Sequence, residues 1–468
     1  MVALLCTLAA AALMLARDFY WPLAWIAPIP LLWLAYSARS YRTIALCVIG
    51  TVLLWVIPLV FPLLMATGFA MVPKLVWLIT VLILVLLSCL LLARRVRGQI
   101  HPLLALLAYP AAWTSAAYVF YLSSGGDTAG LDAYSQGDVP ALIQTASVAG
   151  LWGIEFLLAL FANAIVLCLY DRHHAPVFAG VVVALVAANL LFGLWRLSRP
   201  AGPTIRVAAA AQDLRLGGRL PRADDAVAGV VSQYAAEAQS LAGQGARIIV
   251  LPELTSVLSE DSRAAITAPL SLAAQQSGAW ITMGFAEIGK SGVIHNVALT
   301  FRPDQPPSAY FKRHPLVPLD PSVPGTSPGL LGGARAVAIC KDLDFPATIR
   351  NDAQHTLQLM IVPAADFGAD GWIHARMALF RAVEDGFAMI RAATNGVVMI
   401  INDRGQVLAR VNSTADGSSH VIADVSVGSG ATIYRRFGDW FAWLSAATCV
   451  AIIGLLRKLR SQPDHRFS

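Results

Sequence analysis

Charge is what this chain has least of. Only 13% of its 468 residues are Asp, Glu, Lys or Arg, where soluble domains carry about a quarter. With 57% of residues hydrophobic, this excludes a disordered chain and an ordinary soluble enzyme. Long basic runs are also missing: none exceeds a pair, so the net charge of +6, from 34 Lys and Arg against 28 Asp and Glu, leaves no footprint for nucleic acid. Cysteine is scarce where it would matter for a framework. Cys6, Cys47, Cys89, Cys168 and Cys449 lie in apolar stretches, where a thiol packs as a small hydrophobe. Cys340 is alone in the polar region, and one thiol makes neither a disulfide scaffold nor a Cys-rich metal site. His314 and His374 show no metal-ligand spacing with other donors. No metal and no cofactor are expected.

The charge that is present is unevenly spread. It is sparse up to Arg196 and near normal from Arg206 to Asp424, which predicts a membrane part followed by a soluble part. A helix needs roughly 17 to 25 apolar residues to cross the hydrocarbon core. Such segments fall at 1–16, 21–38, 43–66, 72–93, 102–122, 147–169 and 176–196, with an eighth from Asp439 to Leu456. The first could instead be a signal peptide, but it has no basic residue before Arg17 and more apolar segments follow at once, so it reads as a span. The expected organisation is a seven-helix membrane domain over 1–197, an α/β domain over 203–427 and a final membrane helix over 438–457. A cytoplasmic N-terminus puts Arg39, Arg42, Arg94, Arg95, Arg97, Arg172, Arg457, Lys458, Arg460 and Arg466 inside, as the positive-inside rule requires. The α/β domain then lies on the extracytoplasmic side of a bacterial inner membrane.

In the polar region, short apolar runs alternate with amphipathic ones. IRVAAAA, ARIIVLPE, AWITMGFAE, ARAVAIC, LQLMIVPA and VVMIIND read as strands; Ala226–Ala242, Ser262–Gln276 and His374–Arg391 read as helices. Strands that are apolar on both faces with helices between them predict an α/β layered fold. Three polar residues end strands or begin the loops after them, where such folds place chemistry: Glu253, Lys312 and Cys340. A carboxylate, an ammonium and a thiol can serve as general base, oxyanion partner and nucleophile. Each taken alone could equally be a surface ion pair or a core thiol.

The local strings narrow this. LPE at Leu251–Glu253, YFKRHPLVP at Tyr310–Pro318 and ICKDLDFP at Ile339–Pro346 resemble the three signatures of the nitrilase, or carbon-nitrogen hydrolase, superfamily. That resemblance implies an α-β-β-α sandwich with a Glu-Lys-Cys triad, here Glu253, Lys312 and Cys340. RAVEDGFAMIRAATNG from Arg381 to Gly396 looks like the family's helix and strand after the cysteine, with Glu384 structural. Eight spans with such a domain before the last one, together with WPLAWIAPIPLLWLA, YSQGDVPALIQTASVAGLWGIEFL and TIYRRFGDWFAWL, resemble the apolipoprotein N-acyltransferase family over nearly the whole chain. What that implies is a ping-pong acyl transfer, with a phospholipid as donor and a diacylated lipoprotein as acceptor. Lys341 and Asp342 would then border the nucleophile, and Tyr134, Gln136, Glu155, Leu330 and Leu331 become candidate substrate contacts. Glu155 and Asn163 share a helix face and either line a headgroup entrance or bond neighbouring helices.

The string after the cysteine reads Lys341-Asp342 in place of the family's Tyr-Glu, LVPLDP replaces LVPFGE so that Asp320 is the nearest carboxylate, Ala364–Gly368 replaces an Asn-Asp-Ala-Trp-Phe-Gly string, and QDLRLGG keeps only Gln212 of another. These departures keep open an acyltransferase with another acceptor, a membrane-tethered amidase, and a non-catalytic lipid binder.

Overall fold

The computed structural model describes residues 1–67, 72–213, 224–317, 319–354, 356–368, 371–415, 417–428 and 430–461. Residues 214–218 of the QDLRLGG string, Pro318 and Arg466 lie outside the described residues. The chain divides into two compact units, Met1–Trp195 with Asp439–Ser468, and Arg196–Gly438.

The first unit is helical: α1 (Val2–Ala16), α2 (Leu23–Ile26), α3 (Ile29–Ser37), α4 (Tyr41–Thr67), α5 (Val72–Val96), α6 (Pro102–Ser123), the short α7 (Pro140–Ile143) and α8 (Ala146–Ala149), α9 (Leu151–Tyr170) and α10 (Ala175–Leu197). A C-terminal helix, Trp440–Ser461, completes it. Among the described residues, six of these helices are long and apolar enough to cross a membrane: Tyr41–Phe61, Val72–Val96, Pro102–Ser123, Leu151–Tyr170, Ala175–Leu197 and Trp440–Ser461. The other two expected spans are shorter. Helix α1 has 15 residues, or about 22 Å at 1.5 Å per residue, and the 21–38 segment breaks at Ala27 and Pro28 between α2 and α3.

Several buried polar groups inside this unit are bonded to its own chain, as low-dielectric surroundings favour. Arg17 pairs with Asp132, and Glu155 accepts from Ala133 N at 2.8 Å and Trp113 Nε1 at 3.1 Å. Gln136 accepts from Trp25 Nε1 at 2.8 Å and donates to the Trp21 carbonyl at 3.0 Å. The Tyr134 hydroxyl lies 2.6 Å from Thr128 Oγ1. Asn163 accepts from Tyr36 at 2.8 Å and donates to the Leu106 carbonyl at 2.9 Å. The side chains proposed from sequence as substrate contacts, Tyr134, Gln136 and Glu155, are therefore buried and bonded to this unit's own chain, and Asn163 ties helices together.

The second unit is a sandwich of two sheets. In chain order its elements are β1 (Thr204–Ala211), α11 (Asp224–Gly243), β2 (Ile248–Val250), β3 (Val257–Ser259), α12 (Arg263–Ser277), β4 (Trp280–Ile288), β5 (Ile294–Arg302), β6 (Gln305–Phe311), β7 (Leu330–Gly332), β8 (Arg335–Val337), α13 (Pro346–Ala353), β9 (Leu359–Ala365), α14 (Gly371–Asp385), β10 (Ala388–Thr394), β11 (Val397–Ile401), β12 (Val407–Asn412), β13 (Ser419–Ser426) and α15 (Ile433–Phe437). One sheet is ordered β13-β1-β2-β4-β5-β6, with β3 against β4, and the other β12-β11-β10-β9-β8-β7. Side chains on a strand alternate between faces, and β1 uses both. Val207 and Ala209 join Ile248, Val250, Ile361, Ile390 and Val398 between the sheets, while Ala208 and Ala210 pack with Val231 of α11 and Leu270 of α12 on the outer side. Helix α14 covers β10 and β11, with α13 beside it. The result is the expected α-β-β-α order.

Two details differ from the sequence reading. The helix expected over 374–391 ends at Asp385, because Gly386 at φ 70° turns the chain out of the helix and Ala388–Thr394 is a strand paired with β9 and β11. Leu331 is not a surface residue: it packs between the sheets, while Leu330 is 40% exposed.

Candidate active site

Four side chains sit at or just beyond the C-terminal ends of strands: Glu253 after β2, Lys312 after β6, Cys340 after β8 and Asp366 after β9. Glu253 is tied to β9 by its backbone N, which donates to the Ala364 carbonyl at 3.3 Å. Its neighbour on β4 must be glycine: a Cβ on Gly284 would stand 2.6 Å from the Glu253 Cα. Cys340 begins a short turn, Cys340–Asp344, with φ 41°, and the residues flanking the site at Leu254 and Asn395 have φ 49° and 50°. Such left-handed conformations cost about 1 to 3 kcal/mol each in non-glycine residues, so the surrounding packing sustains them.

Lys312 Nζ donates to Glu253 Oε1 at 2.7 Å and pairs with Asp320 Oδ2 at 3.3 Å. Asn296 Nδ2 bridges the same two carboxylates at 2.7 and 2.9 Å. Asp320, the nearest carboxylate in the altered LVPLDP string, thus stands beside the lysine. Burial opposes the charge of Lys312, yet Glu253, the Cys340 sulfur and Asp320 raise its pKa above the ordinary lysine value. Burial also disfavours ionised Asp320, but Lys312 and the hydrogen bonds from Ser322 and Asn296 pull it below the usual carboxylate range. Among the described residues, Glu253 Oε2 is buried with no hydrogen-bond partner. One oxygen of this carboxylate is committed to the lysine; the other is uncommitted. Burial first, and then the nearby Glu253 carboxylate, push the Cys340 thiol up, while His374 and Lys312 draw it back.

Asp342 stitches two loops together. It accepts from the Tyr310 hydroxyl at 2.7 Å and from the backbone N–H groups of Arg313, His314 and Ile339 at 3.1, 2.9 and 2.9 Å. A carboxylate bonded this way fixes the Lys312 loop relative to the cysteine turn. Lys341 Nζ pairs with Asp344 at 2.7 Å and lies over the Phe345 ring. Glu384 pairs with Arg381 at 2.7 Å, both fully buried. Sequence spacing assigned nothing to His374, yet the fold brings it, with Asp366, to Cys340: the donor atoms of the three lie within 4.8 Å of one another. Arg391 and Asn296 were missed as well. The one available signal was polar residues inside otherwise apolar strands, Arg391 in AMIRAAT and Asn296 in IHNVALTF.

The fold and site define a membrane protein built around a carbon-nitrogen hydrolase unit with a cysteine at its centre. The carbon-nitrogen hydrolase family model matches residues 206–434, and the apolipoprotein N-acyltransferase N-terminal domain model matches residues 3–164. Taken together, the two matches make the chain similar to the apolipoprotein N-acyltransferases over most of its length. It is similar to the apolipoprotein N-acyltransferases of Geobacter metallireducens, at 25% identity over 93% of this chain and 92% of that one, and of Methylococcus capsulatus, at 27% over 77% and 76%. Among solved structures it is similar to an amidase of the nitrilase superfamily from Nesterenkonia AN1, with 20% identity, 51% of this chain and 95% of that chain covered, and a TM-score of 0.42. This is a multi-pass membrane protein and an enzyme whose chemistry runs through a cysteine.

Proposed function

We propose that the chain N-acylates lipoproteins by taking an acyl chain from a phospholipid onto Cys340 and passing it to the α-amino group of a diacylglyceryl-cysteine. The observation that carries the chemistry is the division of labour on Glu253, whose Oε1 binds Lys312 while the buried Oε2 has no partner. Oε2 accepts the thiol proton as sulfur attacks the ester carbonyl, and returns it to the departing lysophospholipid alcohol. The tetrahedral oxyanion is received by Lys312 and the backbone N–H of Lys341. In the second half-reaction Glu253 takes a proton from the incoming amine and returns it to the thiolate as the amide forms. Asp320 keeps Lys312 charged, and Asp342 keeps its loop in register with the cysteine turn.

The excess of Arg and Lys on one set of interhelical connections supports an inner-membrane location with the catalytic unit outside the cytoplasm. Expression in cells depleted of their own apolipoprotein N-acyltransferase tests the whole reading. Growth and triacylated lipoproteins with the wild-type chain, and neither with Cys340→Ser, are expected; wild-type chain that reaches the membrane and leaves lipoproteins diacylated would reject the acceptor.

A further inference from the structure

Cys340 stands between two ionic assemblies, and the mechanism above uses only one of them. The other is built from separate elements. His374 in the first turn of α14 has Nδ1 3.3 Å from Asp366 Oδ1. Arg391 of β10 donates to the same carboxylate oxygen at 2.5 Å and to the Val397 carbonyl at 2.9 Å. Asp366 and Arg391 are 0% and 2% exposed, and His374 is 18% exposed. A ring nitrogen of the imidazole also lies within 4.8 Å of the Cys340 sulfur. Three donors this close also resemble a cation site, but Arg391 on Asp366 and Lys312 near the sulfur supply fixed positive charges, so the cluster suits a proton on the imidazole better than a metal.

We propose that His374, oriented by Asp366 and Arg391, is a further catalytic residue that holds an imidazolium against the Cys340 sulfur and stabilises its thiolate. The inference rests on Cys340 being the nucleophile, and it adds no proton transfer. The thiol S–H bond breaks to Glu253, the imidazolium keeps its own proton and donates a hydrogen bond to the resulting thiolate, and that hydrogen bond is relinquished when the S–C bond forms. The charged groups that face this pair are Glu253 and Lys312 on one side and Asp366, Arg391 and Asp344 on the other. Burial opposes the imidazolium, but Asp366, Cys340 and Asp344 raise the His374 pKa well above the ordinary histidine value.

The test is the pH dependence of Cys340 alkylation by iodoacetamide in the purified full-length protein, read by mass spectrometry on the Cys340 peptide so that the other cysteines do not contribute. An opposite charge at this range shifts a pKa by about 1 to 3 units. His374→Gln should move the alkylation midpoint up by about one pH unit or more, with roughly tenfold slower labelling at pH 7, and His374→Asn should do the same if the glutamine variant does not fold. A role in packing alone would lower the amplitude by reducing the folded fraction and leave the midpoint in place. A midpoint unchanged in a folded variant overturns the proposal. Alkylation needs neither lipid nor acceptor, so a chain that labels with the expected shift but forms no acyl-enzyme would reject the transferase reading and leave this inference standing.

Discussion

Replacing Lys312 with methionine should turn the stabilising core of the site into a pH-dependent liability. Nζ is 2.7 Å from Glu253 and 3.3 Å from Asp320, and the three side chains are 4%, 1% and 10% exposed. Methionine fills similar volume but leaves two buried carboxylates joined only through Asn296. Removing one partner of a buried ion pair costs about 3 to 5 kcal/mol, or roughly 6 to 20 °C in Tm for a unit of this size. The sign of the pH dependence follows from linkage. In the wild type the Asp320 pKa is held below its unfolded value, so its contribution is present above about pH 4 and fades as pH falls through the folded value. Without the ammonium, burial pushes the Asp320 carboxyl above its unfolded value, so stability is retained at low pH and lost as pH rises through the new folded value. Thermal melts followed by near-UV circular dichroism in detergent should show a deficit that is large at pH 7.5 and shrinks at pH 5. Adding Glu253→Gln to Lys312→Met should recover part of it, since one of the two stranded charges is gone. An equal deficit at both pH values, or a variant as stable as the wild type at pH 7.5, would refute the reasoning.

Other consequences are as direct. Tyr310→Phe removes one of four donors to buried Asp342 and should cost about 1 to 3 kcal/mol in a melt; no loss would mean that the hydroxyl is dispensable to the loop. Burial and then neighbouring Glu384 raise the Asp385 pKa to about 8, above its unfolded value, so this group stabilises fully below about pH 4 and its contribution is lost as pH rises to about 8. Asp385→Asn should therefore flatten the decline in Tm between pH 5.5 and 8.5, and an unchanged slope would contradict that assignment. A membrane-impermeant thiol reagent should label Cys340 in intact spheroplasts; labelling only after the membrane is broken would reverse the proposed orientation.

Much of the fold was legible because membrane helices and doubly buried strands both write themselves as apolar runs. LQLMIVPA and VVMIIND stood out for that reason, and β9 and β11 lie deep in the sandwich. Two of the strands that escaped are of another kind. β6 begins Gln-Pro-Pro-Ser and lies at a sheet edge, where proline is tolerated, and β12 alternates half-buried and exposed residues at the edge of the other sheet. The membrane unit differed where two prolines, Pro28 and Pro30, interrupt an otherwise continuous apolar segment. Within the site, short local strings led to Glu253, Lys312 and Cys340. His374, Asp366 and Arg391 come from three elements whose proximity depends on the pairing of β9 with β10 and the placement of α14, and no local spacing encodes that.

The central claim is that Cys340 carries the acyl group between two lipid substrates. Purified protein incubated with a phospholipid labelled in its acyl chain should accumulate a hydroxylamine-sensitive thioester on the Cys340 peptide, and the label should leave when a synthetic diacylglyceryl-cysteine peptide is added, appearing as its amide. Cys340→Ser should form no thioester, and Glu253→Gln should form it at least about a hundredfold more slowly. Thioester that drains to water whether or not the peptide is present would make the enzyme a hydrolase, and absence of any adduct on Cys340 while the peptide still becomes acylated would contradict the account at its root.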